Sequence, residues 1–201
     1  IQGLSDIECF LAAHRVINKK GLGTYFDELI GFQDRIFDLE ASDYNDRDCS
    51  GRKIIKDNES ILGLLDSAVR KKVEQLICHF SKHKPDLVHA WQDETILTAC
   101  LAGALTGVPA VIGSARSLRP DKKTELHIRK RPYLRNCFKE IFNYNFHHLS
   151  SNSVAGSESY AEWIGIEQTA IQVNENGVDF DEIESRMSLN EVERSLNDFG
   201  F

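Results

Sequence analysis

Two apolar runs in the sequence each end in side chains that could do chemistry. Residues 86–90 lead into a polar corner with an imidazole, an indole, an amide and two carboxylates, and residues 108–113 lead into a hydroxyl and two guanidinium groups. Imidazole and carboxylate groups can move protons, an imidazole can donate a hydrogen bond to a developing oxyanion, and guanidinium groups bind phosphates in bidentate geometry. The candidate residues are His89, Trp91, Gln92, Asp93, Glu94, Arg116 and Arg119.

The elements around these residues predict that they share one crevice. Leu87 and Val88 begin a buried strand, Thr95 to Leu105 forms a helix rich in Ala and Leu, and Ala110 to Gly113 forms a second buried strand. The crossover of such a strand–helix–strand unit is right-handed almost without exception. Ligands of these sheets bind at the carboxyl ends of the strands, which is where the candidate residues lie.

Helices and strands alternate along the rest of the chain. This alternation predicts a Rossmann-like α/β fold, a parallel sheet with helices on both faces. No G-x-G-x-x-G or P-loop motif occurs, which excludes the usual dinucleotide and P-loop sites. The further predicted elements are a helix over residues 4–20, a short helix from Tyr25 to Ile30, a strand from Arg35 to Leu39, the longest helix from Asn58 or Ser60 to Phe80, a helix from about Pro132 to Tyr144, a strand from His147 to Ser151, a helix from Ser153 to Trp163 and a strand from Ala170 to Val173.

Charge and hydropathy limit the partners of the chain. The formal net charge of −7 argues against a nucleic-acid partner. Residues 116–135 are nevertheless basic, and this segment would suit an anionic ligand or an anionic membrane surface, or would form a solvated helix face. No apolar run approaches the roughly 20 residues that a membrane-spanning helix needs.

The five cysteines are odd in number, widely spaced and without a Cys-x-x-Cys pair. This pattern is typical of reduced thiols and predicts a cytoplasmic protein. Cys78 and Cys100 lie on apolar faces and are expected to be small core residues. No metal site is predicted, because the adjacent His147 and His148 would point to opposite faces of their strand.

Three segments over residues 86–179 carry a family resemblance by their order and spacing. They are Asp86-Leu-Val-His-Ala-Trp-Gln-Asp-Glu-Thr with the following Leu-Ala-Gly-Ala-Leu-Thr-Gly-Val-Pro, Leu149-Ser-Ser-Asn-Ser-Val-Ala with Tyr160-Ala-Glu-Trp-Ile-Gly-Ile166, and Ile171-Gln-Val-Asn-Glu-Asn-Gly-Val-Asp179. Together they resemble the N-terminal domain of the GT-B glycosyltransferases of family 4, and residues 24–39 fit it more loosely. The chain departs from the family in lacking its glycine-rich loop and in carrying Glu175 where a proline is usual.

The resemblance implies a two-domain enzyme that moves a sugar from a nucleotide sugar to an acceptor in polysaccharide or glycoconjugate assembly. Residues 1–179 would form one half of the GT-B fold, the acceptor-binding domain, truncated at its start, and residues 180–201 a helix and linker toward a donor domain. That missing domain would bind most of the nucleotide sugar, a substrate, and no cofactor or metal is implied. A sugar or lipid-linked sugar acceptor would suit a cytoplasmic enzyme at the inner face of the membrane. We expect the 201-residue chain alone to be inactive.

Within this resemblance, His89 matches a histidine that lines the acceptor and sugar site, and the alternative is a satisfied core histidine. Asp93 could act as a base toward the acceptor hydroxyl or cap the helix that begins near Thr95. Trp91 could stack on a sugar ring or serve in packing. Gln92 and Glu94 are assigned to substrate binding.

The remaining candidate residues would bind anionic groups. Arg116 and Arg119 could bind a diphosphate or a lipid phosphate. Asn152 and Ser153 open a helix whose backbone N–H groups suit an anion, although helix capping explains them equally. Two other functions stay open: a non-catalytic α/β ligand-binding module and a nucleotide-sugar epimerase of GT-B architecture.

Overall fold

The computed structural model describes residues 7–13, 35–39, 49–120, 133–142, 147–177 and 180. Its strands are β1 (Leu11–Ala13), β2 (Ile36–Asp38), β3 (Leu87–Trp91), β4 (Ala110–Ala115), β5 (His147–Ser151) and β6 (Ile171–Val173). Its α-helices are α1 (Arg52–Asp57), α2 (Glu59–Leu62), α3 (Ser67–His83), α4 (Asp93–Thr106), α5 (Tyr133–Ile141) and α6 (Val154–Ile164), and a 3₁₀ turn spans Gln168–Ala170.

Strands β3 to β6 form one parallel sheet in the order β3-β4-β5-β6, and β1 and β2 form a separate parallel pair. In the larger sheet, Trp91 lies opposite Ser114, and Ser114 lies opposite Ser150. The prediction of an α/β fold with a parallel sheet flanked by helices is confirmed. Since all four strands run in the same direction, their carboxyl ends meet at one edge.

The core lies between helices α3 to α6 and one face of this sheet, which carries Val111, Gly113 and Leu149. A Cβ at Gly113 would lie 2.6 Å from Ile96 Cγ2, so α4 packs directly on the backbone of β4. Because side chains alternate along a strand, the opposite face carries a different set of residues. Among these, Leu87, His89, Trp91, His148 and Gln172 are exposed.

The helix predicted over residues 4–20 is wrong where the structure describes this region. Leu11–Ala13 is a strand that pairs with Ile36–Asp38, and Ala12 packs against the core. Pairing with a distant strand overrides the helical spacing of apolar residues, which is only a local preference. The strand predicted from Arg35 to Leu39 is confirmed. The helix predicted from Tyr25 to Ile30 lies outside the described residues, as does almost all of 180–201.

The longest predicted helix is interrupted once. Within its predicted range, α2 ends at Leu62 and α3 begins only after Asp66, while α1 ends at Asp57, before that range. The Asp66 carboxylate accepts hydrogen bonds from the backbone N–H groups of Ala68 and Val69 at 3.1 and 3.0 Å. Such a cap stabilises a helix start by about 1 kcal/mol. A new helix therefore begins at this point, although the stripe of apolar residues predicts one continuous helix.

Strand β3 is more exposed than its apolar sequence predicts. Leu87 and Trp91 are each 52% exposed, whereas β4 buries Val111 and residues 113–115. Within the described part of the chain, β3 pairs with β4 on one side and with no strand on the other. An apolar run is typical of a buried parallel strand, but Leu87, His89 and Trp91 lie on the sheet face where His148 and Gln172 are also exposed.

The expectation of five reduced thiols is wrong for two of them. Cys49, just before α1, forms a disulfide bond with Cys78 on α3, 29 residues later. Sequence spacing does not reveal this pair, because a pairing depends on Cα atoms that the fold brings within reach, here 5.6 Å. Cys9, Cys100 and Cys137 are free, and Cys100 is the buried core residue that the sequence predicts. The cysteines therefore do not support a cytoplasmic location, which stays a prediction.

Burial of His79 on α3 makes the stability of the fold sensitive to acid. His79 is 5% exposed and its ring centroid lies 4.8 Å from that of Phe37 on β2. Burial, with the neighbouring His83 and Lys82, lowers the pKa of His79 from 6.5 to about 4. The unfolded chain therefore takes up this proton near pH 6.5, and the folded chain only near pH 4.

We expect the free energy of unfolding to be at its full value above pH 6.5 and to fall by up to about 3 kcal/mol as the pH approaches 4. Urea unfolding at a series of pH values would measure this loss. His79→Phe should remove most of it, leaving the smaller contribution of His83, whose pKa is also lowered by burial. An unchanged pH dependence in the variant would contradict the assignment to His79.

Candidate functional site

Hydrogen bonds link three neighbouring strands near their carboxyl ends. The Trp91 indole N–H donates to His89 Nε2 at 2.8 Å, Ser114 Oγ lies 2.7 Å from the same nitrogen, and Ser150 Oγ lies 2.6 Å from Ser114 Oγ. Ser114 and Ser150 are buried, whereas His89 and Trp91 are exposed. We name these four residues the His89 network. Its two hydroxyl groups are buried, and its imidazole and indole belong to exposed residues.

Arg116 joins the His89 network from the end of β4. Its Cζ lies 5.1 Å from the centroid of the Trp91 ring, within range of a cation–π interaction. Its Nη1 donates a hydrogen bond to Asn176 Oδ1 at 3.2 Å, and Asn176 follows β6. The guanidinium is exposed, so it offers a positive charge to an anionic ligand beside His89.

Partial burial of the ring and the positive charge of Arg116 both lower the pKa of His89. The imidazole is therefore neutral at neutral pH, with one nitrogen that donates and one that accepts a hydrogen bond. A neutral imidazole can donate to a ligand oxygen or to a developing oxyanion. The core-histidine alternative does not describe His89, because the residue lies outside the apolar core and is exposed on the sheet face.

The two carboxylates of the corner are engaged by neighbouring helices. The Tyr160 hydroxyl on α6 donates a hydrogen bond to Asp93, and Lys72 on α3 forms an ion pair with Glu94 at 2.5 Å. The interpretation of Asp93 as the helix cap is wrong, because Gln92 holds the cap position and makes no capping hydrogen bond with its side chain. Asp93 is the first residue of α4, where a negative charge is favourable. Both carboxylates thus attach α4 to its neighbours.

Gln92 connects β3 to α4 in a backbone conformation that is rare for residues with a side chain. Its φ is 73° and its ψ is 152°, a region that glycine occupies almost alone. Such a conformation costs on the order of 1–3 kcal/mol and is found most often at functional sites. Its position next to Trp91 fits a corner that orients the His89 network.

Gln92→Gly is expected to raise the free energy of unfolding by about 1 kcal/mol, because relief of the strain exceeds the added entropy of an unfolded glycine. Urea unfolding would measure the change. Gln92→Ala is the matched control: it keeps a Cβ and should not stabilise the fold. A loss of stability in Gln92→Gly would show that the backbone at this corner is not strained.

The other predicted anion-binding residues have structural contacts. Arg119 pairs with Glu162 on α6 at 3.2 Å, and its backbone N–H donates to Ser159 Oγ at 3.3 Å. Ser153 caps α6 by accepting from the backbone N–H of Gly156 at 3.1 Å, as the capping alternative predicts. The backbone N–H of Asn152 donates to the carbonyl of Ala115 at 3.4 Å. Of the two predicted arginines, Arg116 is the one that contacts the His89 network.

The sequence places the Ser114 hydroxyl at the end of the second strand but indicates no role for it, and it does not assign Ser150 or Asn176 to the site. Ser114 and Ser150 look like ordinary strand residues, and only the pairing of β4 with β5 brings their hydroxyl groups together. Asn176 lies in the segment that follows β6. A usable signal exists for the serines, since each is a small polar residue near the carboxyl end of its strand.

The described residues contain no group of three or more His, Cys, Asp or Glu side chains that could hold a metal ion. No helix in the same part of the chain is long and apolar enough to cross a membrane. Within the basic segment 116–135, residues 121–132 lie outside the described residues, so its contact with a membrane surface stays a prediction.

Comparisons with known proteins give one informative similarity. No protein-family model matches the sequence, and no solved structure matches it. The chain is similar to a polysaccharide biosynthesis protein. Over 118 residues it is 27% identical to the Vi polysaccharide biosynthesis protein VipC/TviE of Salmonella typhi, a match that covers 59% of this chain and 20% of that protein. The chain therefore matches about a fifth of the length of this relative, and the finer assignment to GT-B family 4 stays a prediction.

Proposed function

We propose that this chain is the acceptor-binding part of a glycosyltransferase that moves a sugar from a nucleotide sugar to a polysaccharide or glycoconjugate acceptor. The observation that carries the proposal is the open carboxyl edge of the sheet, where the neutral imidazole of His89 lies beside the indole of Trp91 and the guanidinium of Arg116. The similarity to a Vi polysaccharide biosynthesis protein supports polysaccharide chemistry.

Each group has a role that suits this reaction. His89 would donate a hydrogen bond to an oxygen of the acceptor or to charge that develops during transfer. Arg116 would bind a phosphate, either of the donor or of a lipid-linked acceptor. The donor nucleotide sugar would be bound mainly by a second domain, toward which residues 180–201 would lead.

A lipid-linked acceptor would require the protein to act at a membrane surface. The basic segment 116–135 would then lie against the anionic inner face of the membrane, where each basic residue contributes about 1 kcal/mol. Binding to vesicles with and without anionic lipid would measure this contact. Equal binding to both kinds of vesicle would argue against it.

A transfer assay on the full-length protein tests the proposed function. Release of nucleoside diphosphate from a panel of nucleotide sugars should depend on an added oligosaccharide or lipid-linked acceptor. Release of free nucleotide without any acceptor would instead indicate an epimerase. Acceptor binding without transfer would indicate a non-catalytic binding module. The 201-residue chain alone is expected to bind acceptor without transferring a sugar.

A further inference from the structure

The indole of Trp91 contacts one neighbour through its N–H and another through a face of its ring. Its N–H donates to His89 Nε2, with the two rings edge to face at an interplanar angle of 86° and a centroid distance of 5.3 Å. The guanidinium of Arg116 lies over the same indole, 5.1 Å from its centroid. The N–H edge of Trp91 thus contacts His89, and one face of its ring contacts Arg116.

The chemistry of these donors determines where the proton of His89 lies. An indole N–H can only donate, so His89 Nε2 must accept, and the neutral ring then carries its proton on Nδ1. The Ser114 hydroxyl, 2.7 Å from the same nitrogen, must donate to it as well. Ser150, 2.6 Å from Ser114, then donates to Ser114 Oγ and shares this proton with the more distant carbonyl of Gly113 at 3.4 Å. Nδ1 makes no hydrogen bond with the described residues.

We infer that Trp91 is a positioning residue that, with Ser114 as a second donor, holds the proton of His89 on Nδ1 and presents this N–H to the ligand. The group that contacts His89 must then be a hydrogen-bond acceptor, such as an ether, hydroxyl or phosphate oxygen. His89 would not take the proton of the acceptor hydroxyl through Nδ1, since that nitrogen is already protonated. The identity of the ligand as a sugar acceptor rests on the proposed function, whereas the position of the proton is a property of the free protein.

A variant of Trp91 can distinguish this positioning role from the stacking of Trp91 on a sugar ring. Trp91→Phe keeps an aromatic ring for stacking but removes the N–H. If Trp91 acts through His89, the loss of the N–H alone alters the imidazole. If Trp91 serves as a stacking surface, Trp91→Phe leaves the imidazole as it was.

NMR of the 201-residue chain labelled with ¹⁵N-histidine tests the inference without a ligand. The wild-type ring of His89 should be neutral at pH 7 and protonated on Nδ1. In Trp91→Phe, Nε2 becomes free to take the proton and donate to Ser114, so the tautomer should shift. The midpoint of its titration should rise by about half to one pH unit, the worth of one hydrogen bond. Arg116 is the charged group beside the ring, and it stays in place in this variant.

Two serine variants sharpen the test. Ser114→Ala should leave the proton on Nδ1, since Trp91 still donates to Nε2, and should raise the midpoint by less than Trp91→Phe does. Ser117→Ala is the matched control, because its hydroxyl donates to the Leu118 carbonyl and not to the His89 network. A wild-type ring protonated on Nε2 would overturn the inference. So would a Trp91→Phe variant whose tautomer and titration equal those of the wild type.

Kinetics of the full-length protein separate this inference from the proposed function. A positioning role predicts that Trp91→Phe lowers kcat by about tenfold while KM for the acceptor changes little. An increase in KM alone would support stacking and overturn the positioning role. If no transfer occurs at all, the proposed function fails, and the NMR result still decides the position of the proton.

Discussion

His89→Ala in the full-length protein is expected to lower kcat for sugar transfer by about 100- to 1000-fold, with little loss of stability. The expected loss is that of removing one well-placed hydrogen-bond donor from a developing oxyanion. Stability should change little because His89 lies on an exposed sheet face and is not part of the apolar core. Transfer rates over a range of acceptor concentrations, with a thermal melt of the same sample, would measure both effects.

His148 offers a matched control for this experiment. It lies on the same face of the sheet at the same height, since His89 and His148 are both opposite Ile112 in the strand pairing. His148 is also exposed. His148→Ala should therefore retain transfer close to that of the wild type. If His89→Ala retains transfer while its melting temperature falls, His89 supports the fold and the role assigned to it is wrong.

Reduction of the Cys49–Cys78 disulfide is expected to destabilise the fold by about 3–4 kcal/mol. The bond closes a loop across 29 residues that includes α1, α2 and most of α3, and loop-closure entropy in the unfolded chain gives this magnitude. For a chain of this size the melting temperature should fall by about 10 °C. Thermal melts with and without a reductant would measure the change.

Thiol counting provides an independent check on the disulfide. Unfolded without a reductant, the wild-type chain should show three reactive thiols, those of Cys9, Cys100 and Cys137. The double variant Cys49→Ser/Cys78→Ser should melt like the reduced wild type and should not respond to a reductant. Five reactive thiols in the unreduced chain, or a reductant effect in the double variant, would contradict the assigned pair.

Much of the fold can be predicted from the sequence because it depends on local properties. The strand–helix–strand unit that holds His89 follows from two apolar runs around a helix, with Gly107 at the helix end in a left-handed conformation. The cap of α6 follows from Ser153 in the same way. Errors arise where a distant partner overrides a local pattern. Leu11–Ala13 has helical spacing but pairs with β2, and the apolar sequence of β3 does not indicate that Leu87, His89 and Trp91 are exposed.

The position of the candidate site at the carboxyl ends of β3 and β4 can be predicted from the sequence, as can the choice of His89, Trp91 and Arg116. The contacts of each group cannot. In the folded chain Tyr160 donates a hydrogen bond to Asp93, and the hydroxyl groups of Ser114 and Ser150 connect to His89. The physical reason is that these contacts depend on strand register and helix packing between residues far apart in the chain, whereas an apolar run or a helix cap is complete within a few residues.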